Sequence, residues 1–383
     1  MLPGLKSTNR SPITTTISPG ILMSLRKKLV SSKPAFKATV MPDFFLDYII
    51  SFHGGLGEMT DRFEDVAKRG GGNLLGWKHT IGRGGKASNF AAQLGKLGAD
   101  TAPIIETDIL GRTLLSHFAD YLDLSHVKTD GQLSSTVSLE SEHSGKQVNM
   151  MISNTGSLAN FGPEKLTEED KELIRTSDYV CLVSWNLIDK GTDLAETIFT
   201  IAKEAGNSVT FFDPGDPTPR KPDLQDLTER VLTKGLADVL SVNENELLQL
   251  ASTVSEEEFE EGEGSLFEAA SLFSMLGSRV DLHTPNFSAT FIDGQRERFP
   301  CLKIEPRKVT GAGDAWNAGD VYAQGIGLSH KERLLFANAT AAAYVSKPGL
   351  EPASLNEVLV MVDRLEKETD STPTSQHSIQ KQV

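Results

Sequence analysis

The segment Thr310-Gly311-Ala312-Gly313-Asp314 puts an acid directly behind a glycine turn, and Ala315-Trp316-Asn317-Ala318-Gly319 continues it as the opening of a helix. Glycines without a Cβ let successive backbone N–H groups approach phosphate oxygens, and a helix N-terminus adds partial positive charge. Gly311, Ala312 and Gly313 therefore read as an anion hole. Asp314 is placed to take the proton of an attacking hydroxyl while the amides stabilise charge on the group in transfer. Taken alone, the same segment reads equally well as a glycine-rich helix start that Asp314 merely caps, so other motifs must decide.

A second cluster is Gly84-Gly85-Lys86-Ala87-Ser88-Asn89, followed by Ala91-Ala92 and Gly95. Glycines let a polar ligand lie against the backbone, and Asn89 offers a donor and an acceptor to vicinal hydroxyls, which suits a polyol. The spacing is not that of a Walker loop. The third is Asn243-Glu244-Asn245-Glu246, after the apolar 237–242. Asn243 and Glu246 can point the same way and reach magnesium-bound water beside phosphates. The local pattern favours a capping box, with Asn243 as N-cap and Glu246 at N3, and the two readings are compatible.

These clusters need elements to hold them. Residues 36–50 form an apolar, β-branched opening strand interrupted by Pro42 and Asp43. Phe90, Leu94 and Leu97 repeat at helical spacing over 87–97, and Gly98 stops that helix. Alternation over 134–152, with Ser144-Gly145 at its centre, predicts a hairpin of 136–140 and 147–152. Strands at 179–184, 208–212 and 239–242 alternate with helices at 193–205 and 224–234, which implies a parallel sheet wrapped by helices. Ligands then sit at the carboxyl ends of the strands, where Asp213 and Asn243 fall.

The 383 residues suffice for one large domain or two modest ones. Apolar residues at 38% and charged residues at 23% describe a globular chain, and a net charge of −14 argues against nucleic acid or anionic membrane as partner. Cys181 and Cys301 form no disulfide framework or zinc spacing, and no apolar run reaches membrane-spanning length. The expected location is cytoplasmic. Residues 1–34, rich in Ser, Thr and Pro, read as a disordered extension, with a transit peptide as the alternative. The glutamates of 255–263 read as a solvated loop or helix end, and 366–383 as a disordered tail.

The order Gly-Gly-Lys-x-x-Asn, then Asn-x-x-Glu, then Gly-Ala-Gly-Asp resembles the ribokinase or PfkB carbohydrate kinases, over 36–365. The resemblance implies an α/β fold: a central, mostly parallel sheet flanked by helices. It adds a small β lid, built from parts of 44–83 and 134–153, that covers the sugar and often joins two copies. It implies transfer of phosphate from a nucleotide to a sugar or sugar phosphate with Mg2+, ATP being the expected donor and ADP left open. Asp47 then resembles the sugar-binding acid of the first strand; Gly85, Lys86 and Asn89 match the substrate turn; Glu140 resembles a lid acid that touches sugar. Asn243 and Glu246 match the phosphate and magnesium motif, Glu246 acting through water. Thr284 and Asn338 stand at nucleotide-side positions, Gly311–Gly313 match the anion hole and Asp314 the base.

Departures bear on the details. Lys308-Val309 replaces the acid and threonine usual before Thr310, which counts against potassium activation and leaves a monovalent cation open. Thr284-Pro285-Asn286 replaces a Thr-x-Gly turn, and the preceding His283 reads as a structural or nucleotide-side group. Asp216 reads as a turn acid or as a holder of magnesium-bound water. Lys86, Arg83 and Arg112 could serve a phosphate on the acceptor. A nucleoside kinase of the same family and a non-catalytic binding module are the competing readings.

Overall fold

The computed structural model describes residues 19–255, 259, 262–308 and 310–370. Its central sheet has eight strands, in the order Gln295–Pro300, Phe287–Ile292, Arg279–His283, Val239–Val242, Val209–Asp213, Tyr179–Val183, Lys37–Met41 and Asp100–Pro103. Neighbours run parallel except at the first edge, where the three strands from Arg279 to Pro300 alternate in direction. The pleat sends Tyr179, Cys181 and Val183 into one hydrophobic cluster and Val180 and Leu182 into another. A strand buried on both faces reads as an unbroken apolar run, as this one does.

Helices cover both faces. Pro19–Ser31, Lys86–Lys96, Ala312–Gly325, His330–Val345 and Leu355–Asp370 close one cluster. Glu168–Thr176, Gly191–Ala205, Leu224–Leu227, Glu244–Ala251 and Glu263–Met275 close the other. The stretch expected as one helix over 224–234 is a short α-turn followed by a π-turn at Thr228–Leu232. No helix among the described residues is long and apolar enough to cross a membrane.

A second sheet forms the lid, ordered Lys78–Gly84, Phe45–Gly55, Ser134–His143 and Lys146–Asn154. Ser144 and Gly145 take positive φ of 52° and 76°, the geometry of a two-residue hairpin turn. The opening run is two strands, Lys37–Met41 in the central sheet and Phe45–Gly55 in the lid, parted at Pro42-Asp43. The sequence reading passed over the helix Leu56–Lys68, which buries Met59 and sets Phe63 against Trp77, itself packed on Phe52.

The expectation of disorder through residue 34 is corrected for part of that segment. Pro19–Ser31 is a helix whose Leu22, Leu25 and Leu29 recur at i, i+3 and i+7 and are buried against the last two helices. Ser24 and Lys28 bond Glu332, and Arg26 pairs with Asp363. The polar composition hid a single apolar stripe. The helix Leu355–Asp370 likewise carries order past residue 366, while residues 1–18, 371–383 and most of the acidic stretch lie outside the described residues.

One buried polar assembly ties the first sheet edge to the helices behind it. Arg279 donates to Asp281 at 2.8 Å, Asp320 at 2.9 Å and Gln324 at 2.6 Å. Arg333 donates to both Asp281 oxygens, to Asp320 and to Thr290. Two cations and two anions so balance one another out of water, and the pairing makes burial of such charge tolerable.

Candidate active site

Gly85 takes a φ of 91° as it turns from the lid strand Lys78–Gly84 into the helix Lys86–Lys96. Asp43, at the break in the first run, accepts both Lys86 N and Ala87 N at 2.8 Å and so satisfies that helix start. Burial raises its carboxyl above the usual range against the pull of those bonds. A Cβ on Gly84 would fall 2.1 Å from Asp47 Oδ1, so glycine there is what lets Asp47 lie flat on the turn. Burial and the neighbouring Asp43 push Asp47 up to about 6.

Gly311, at a φ of 82°, is the N-cap of Ala312–Gly325 and makes no side-chain cap bond. Asp314 lies three residues inside, and its Oδ2 accepts Asn89 Nδ2 at 3.0 Å from the other helix. Its carboxylate is thus turned across to the glycine turn at Gly85 and does not cap its own helix. Asn89 Oδ1 accepts Arg83 Nε at 3.2 Å, which orients the amide. Burial raises Asp314 to about 7, opposed by Lys86 and Asn89 and reinforced by Asp213 and Asp43.

Lys86 Nζ spans the strand ends, 2.7 and 2.9 Å from the Asp213 oxygens and 3.9 Å from Glu246. Burial alone would lower the ammonium, but Asp213, Glu246 and Asp314 outweigh it and hold it above its ordinary value. Asn317 Nδ2 also donates to Asp213, at 2.8 Å, from the helix that carries Asp314. Asn243 and Glu246 form the capping box, Asn243 Oδ1 accepting Glu246 N and Glu246 Oε2 accepting Asn243 N. Burial pushes Glu246 up to about 7, with Lys86 opposing and Asp213 adding to the rise.

A cavity of about 1100 Å³ joins Asp43, Asp47, Lys86, Asn89, Asn243, Glu246 and Asp314. Under the lid it is lined by Asp43, Phe45, Asp47, Asn89, Thr136, Met151 and Ser153. Away from the lid the lining is an apolar shelf of Leu302, Ile304, Pro306, Ala341, Ala342 and Val345. The anion turn links the two: Ala312 packs with Ile304 and Val345, and two residues later Asp314 reaches Asn89.

Not every expected residue is free to bind. Thr284 Oγ1 closes its own turn, accepting Asn286 N and Phe287 N and donating to Phe287 O. Asn338 accepts Trp316 Nε1 at 2.8 Å and donates to Pro300 O. Both line the cavity, and their polar atoms also hold the fold. Glu140 accepts Ser51 Oγ at 2.6 Å two lid layers beyond Asp47 and is not among the lining residues, because the lid register carries it outward. Asp216 holds its own turn through Thr218 and accepts Asn245 Nδ2. His283 packs against Trp316 with the rings tilted at 36° and its Nε2 unpartnered, and burial lowers it to about 4, so the ring is neutral. The sequence reading overlooked Asp43, Thr136 and Ser153. Only Asp43 had a signal, an acid directly after Pro42 where a strand breaks.

The pfkB family carbohydrate kinase profile matches residues 56–356. A ribokinase of Haemophilus influenzae is 27% identical over 287 residues, covering 73% of this chain and 87% of that protein. The structure of Arabidopsis thaliana ribokinase complexed with ribose and ATP has a TM-score of 0.67 at 21% identity, over 86% of this chain and 99% of that one. The adenosine kinase of Sinorhizobium meliloti has a TM-score of 0.63 at 18% identity, over 86% and 99%. A match across most of the chain, joined to an anion turn and a buried acid facing one cavity, makes this protein a member of the pfkB family of carbohydrate kinases.

Proposed function

We propose that the protein moves the terminal phosphate of a nucleotide, with ATP as donor, to a hydroxyl of an uncharged polyol, a free sugar or a nucleoside, with Asp314 as general base. The observation that carries this reading is the Asp314 carboxyl, buried at the anion turn, raised to about 7 and bonded across the cavity to Asn89. A base whose pKa lies near the working pH combines ionisation with driving force for proton transfer. Asp47 and Asn89 hold the acceptor hydroxyls, Asp314 takes the proton of the attacking one, and the amides of Gly311–Gly313 stabilise charge on the phosphoryl group.

The apolar shelf suits a nucleotide base, and the amides of the glycine turn beside it suit the phosphates that follow. Magnesium fits as a hydrated ion. Glu246, Asn243 and Asp216 offer oxygens at that end, and among the described residues no three acidic, histidine or cysteine groups stand close enough to cage a bare ion. The chemistry it supplies there is neutralisation of phosphate charge.

Charge is what argues for an uncharged acceptor. Lys86 is the one Lys or Arg among the described lining residues, and its ammonium is committed to Asp213. Arg83 is buried and spent on Asn89 and the Leu350 carbonyl, while Arg112 lines a separate depression. The lid face continuing from Asp47 presents Thr136, Ser153, Ser138 and Met151, with Lys78 only in the distal layer opposite Ser51. An acceptor phosphate would sit among Asp43, Asp47 and Asp314 without a free cation.

Turnover of Mg·ATP with ribose, fructose and adenosine, each against its monophosphate, tests both parts. The neutral form should exceed its phosphate in kcat/KM by about 100-fold, the scale of an uncompensated like-charge contact. Turnover confined to phosphorylated acceptors would overturn the acceptor class and leave the kinase. Absence of any Asp314-dependent ATP turnover would overturn the kinase reading and favour a binding module.

A further inference from the structure

We propose that the Lys308 ammonium is a covalently built-in cation behind the anion turn, doing there what a bound monovalent ion would do and making this enzyme independent of potassium. The inference rests on the kinase reading above.

Lys308 lies two residues before Thr310, on the segment that delivers the turn. Its Nζ donates to the Gly349 carbonyl and stands 3.5 Å from the centroid of the Tyr344 ring, directly over its face. A carbonyl oxygen and the negative face of an aromatic ring both favour a cation. Tyr344 is buried, packs with Ala312 and Ala315, and also abuts the turn: a Cβ on Gly311 would meet Tyr344 Oη at 2.7 Å. One ring therefore separates the ammonium from the first glycine of the anion hole. The segment is pinned on the same side, where Arg307 N donates to Val345 O at 2.9 Å.

The surroundings do not fit a separate monovalent ion. Such an ion is held by oxygens, and an acid would be its natural anchor; here a lysine stands at 308 and its ammonium already takes the Gly349 oxygen. Lys347 and Arg83 add positive field at the same place, with Glu351 the opposing charge. Burial and these two cations lower Lys308 to about 8, so at neutral pH the amine still carries its proton while a further cation would meet repulsion.

Two measurements decide it, one of them independent of turnover. Melting temperature and Mg·ATP turnover are followed at matched ionic strength in potassium, sodium or tetramethylammonium chloride. The native chain should melt and turn over alike in all three. Lys308→Asp should lose about tenfold in turnover in tetramethylammonium, the scale of a charge at a helix start. Potassium should restore both its rate and its melting temperature. Lys308→Met, which keeps the stem over Tyr344, should lose rate in every salt, and it serves if the aspartate variant does not fold. A saturable rise in rate or melting temperature of the native chain with potassium would overturn the proposal. So would an unchanged rate in Lys308→Met. If melting responds to no salt and no ATP is turned over by the native chain, the kinase reading has failed, and the proposal, which depends on it, falls too.

Discussion

Asp314 carries two consequences that can be separated. Asp314→Asn keeps the size of the side chain and an oxygen for Asn89 to donate to, so the helix start should survive, but no group remains to accept the hydroxyl proton. Turnover should fall by about 10²–10⁴-fold with nucleotide affinity retained, measured by initial rates and equilibrium binding. The raised carboxyl also links to stability. Its folded value of about 7 exceeds the unfolded 3.8, so the folded state binds the extra proton between those values and stability falls as pH rises through that window. Asp314→Asn removes this contribution, so its melting temperature should drop less than that of the native chain between about pH 5 and about pH 8. Activity has the opposite slope: kcat/KM should rise through pH 7, as the free base ionises. The two glycine turns, with Asp314 and Asn89 just inside the helices they open, were legible because glycine spacing is a local signal. Asp43 was not, since an acid after a proline is ordinary turn chemistry until the distant backbone of Lys86 and Ala87 closes on it. The pairing of Lys86 with Asp213, 127 residues away, is equally invisible along the chain.

At the level of elements, the capping box at Asn243 and Glu246 shows why one pattern held two readings. The box is formed, and both residues also line the cavity. Glu246→Gln leaves an oxygen to accept Asn243 N, so the helix Glu244–Ala251 should persist by circular dichroism while the loss of charge lowers turnover and raises the magnesium needed for half-maximal rate. An unchanged magnesium profile would confine Glu246 to capping. Periodicity made the lid hairpin and the helix after Gly85 readable, whereas Pro19–Ser31 was concealed. Three leucines among serine and lysine make a weak stripe, and only the groove it fills, against helices more than 300 residues later, explains its order. Leu25, fully buried, tests that packing: Leu25→Ala should cost about 2–5 kcal/mol of stability, read by denaturant unfolding, with kcat little changed.

For the molecule as a whole, the parallel sheet and its two helical layers followed from alternating strand and helix patterns, because that alternation has few topological solutions. The charged assembly of Arg279, Asp281, Asp320 and Arg333 did not, since each residue alone looks like a surface charge and their partnership exists only after folding. Its consequence concerns alignment more than strength. Apolar packing tolerates a helix turning a few degrees about its own axis, whereas guanidinium forks accept a carboxylate in few orientations. Asp320 lies six residues, less than two turns, beyond Asp314 on the same helix. The assembly therefore fixes the rotation of the helix that carries Asp314, and under the proposed mechanism it would clock that carboxylate toward the acceptor. Replacing all four residues by apolar ones of similar volume should leave the protein as stable or more so, yet slower: a rigid core with its catalytic helix free to drift in phase.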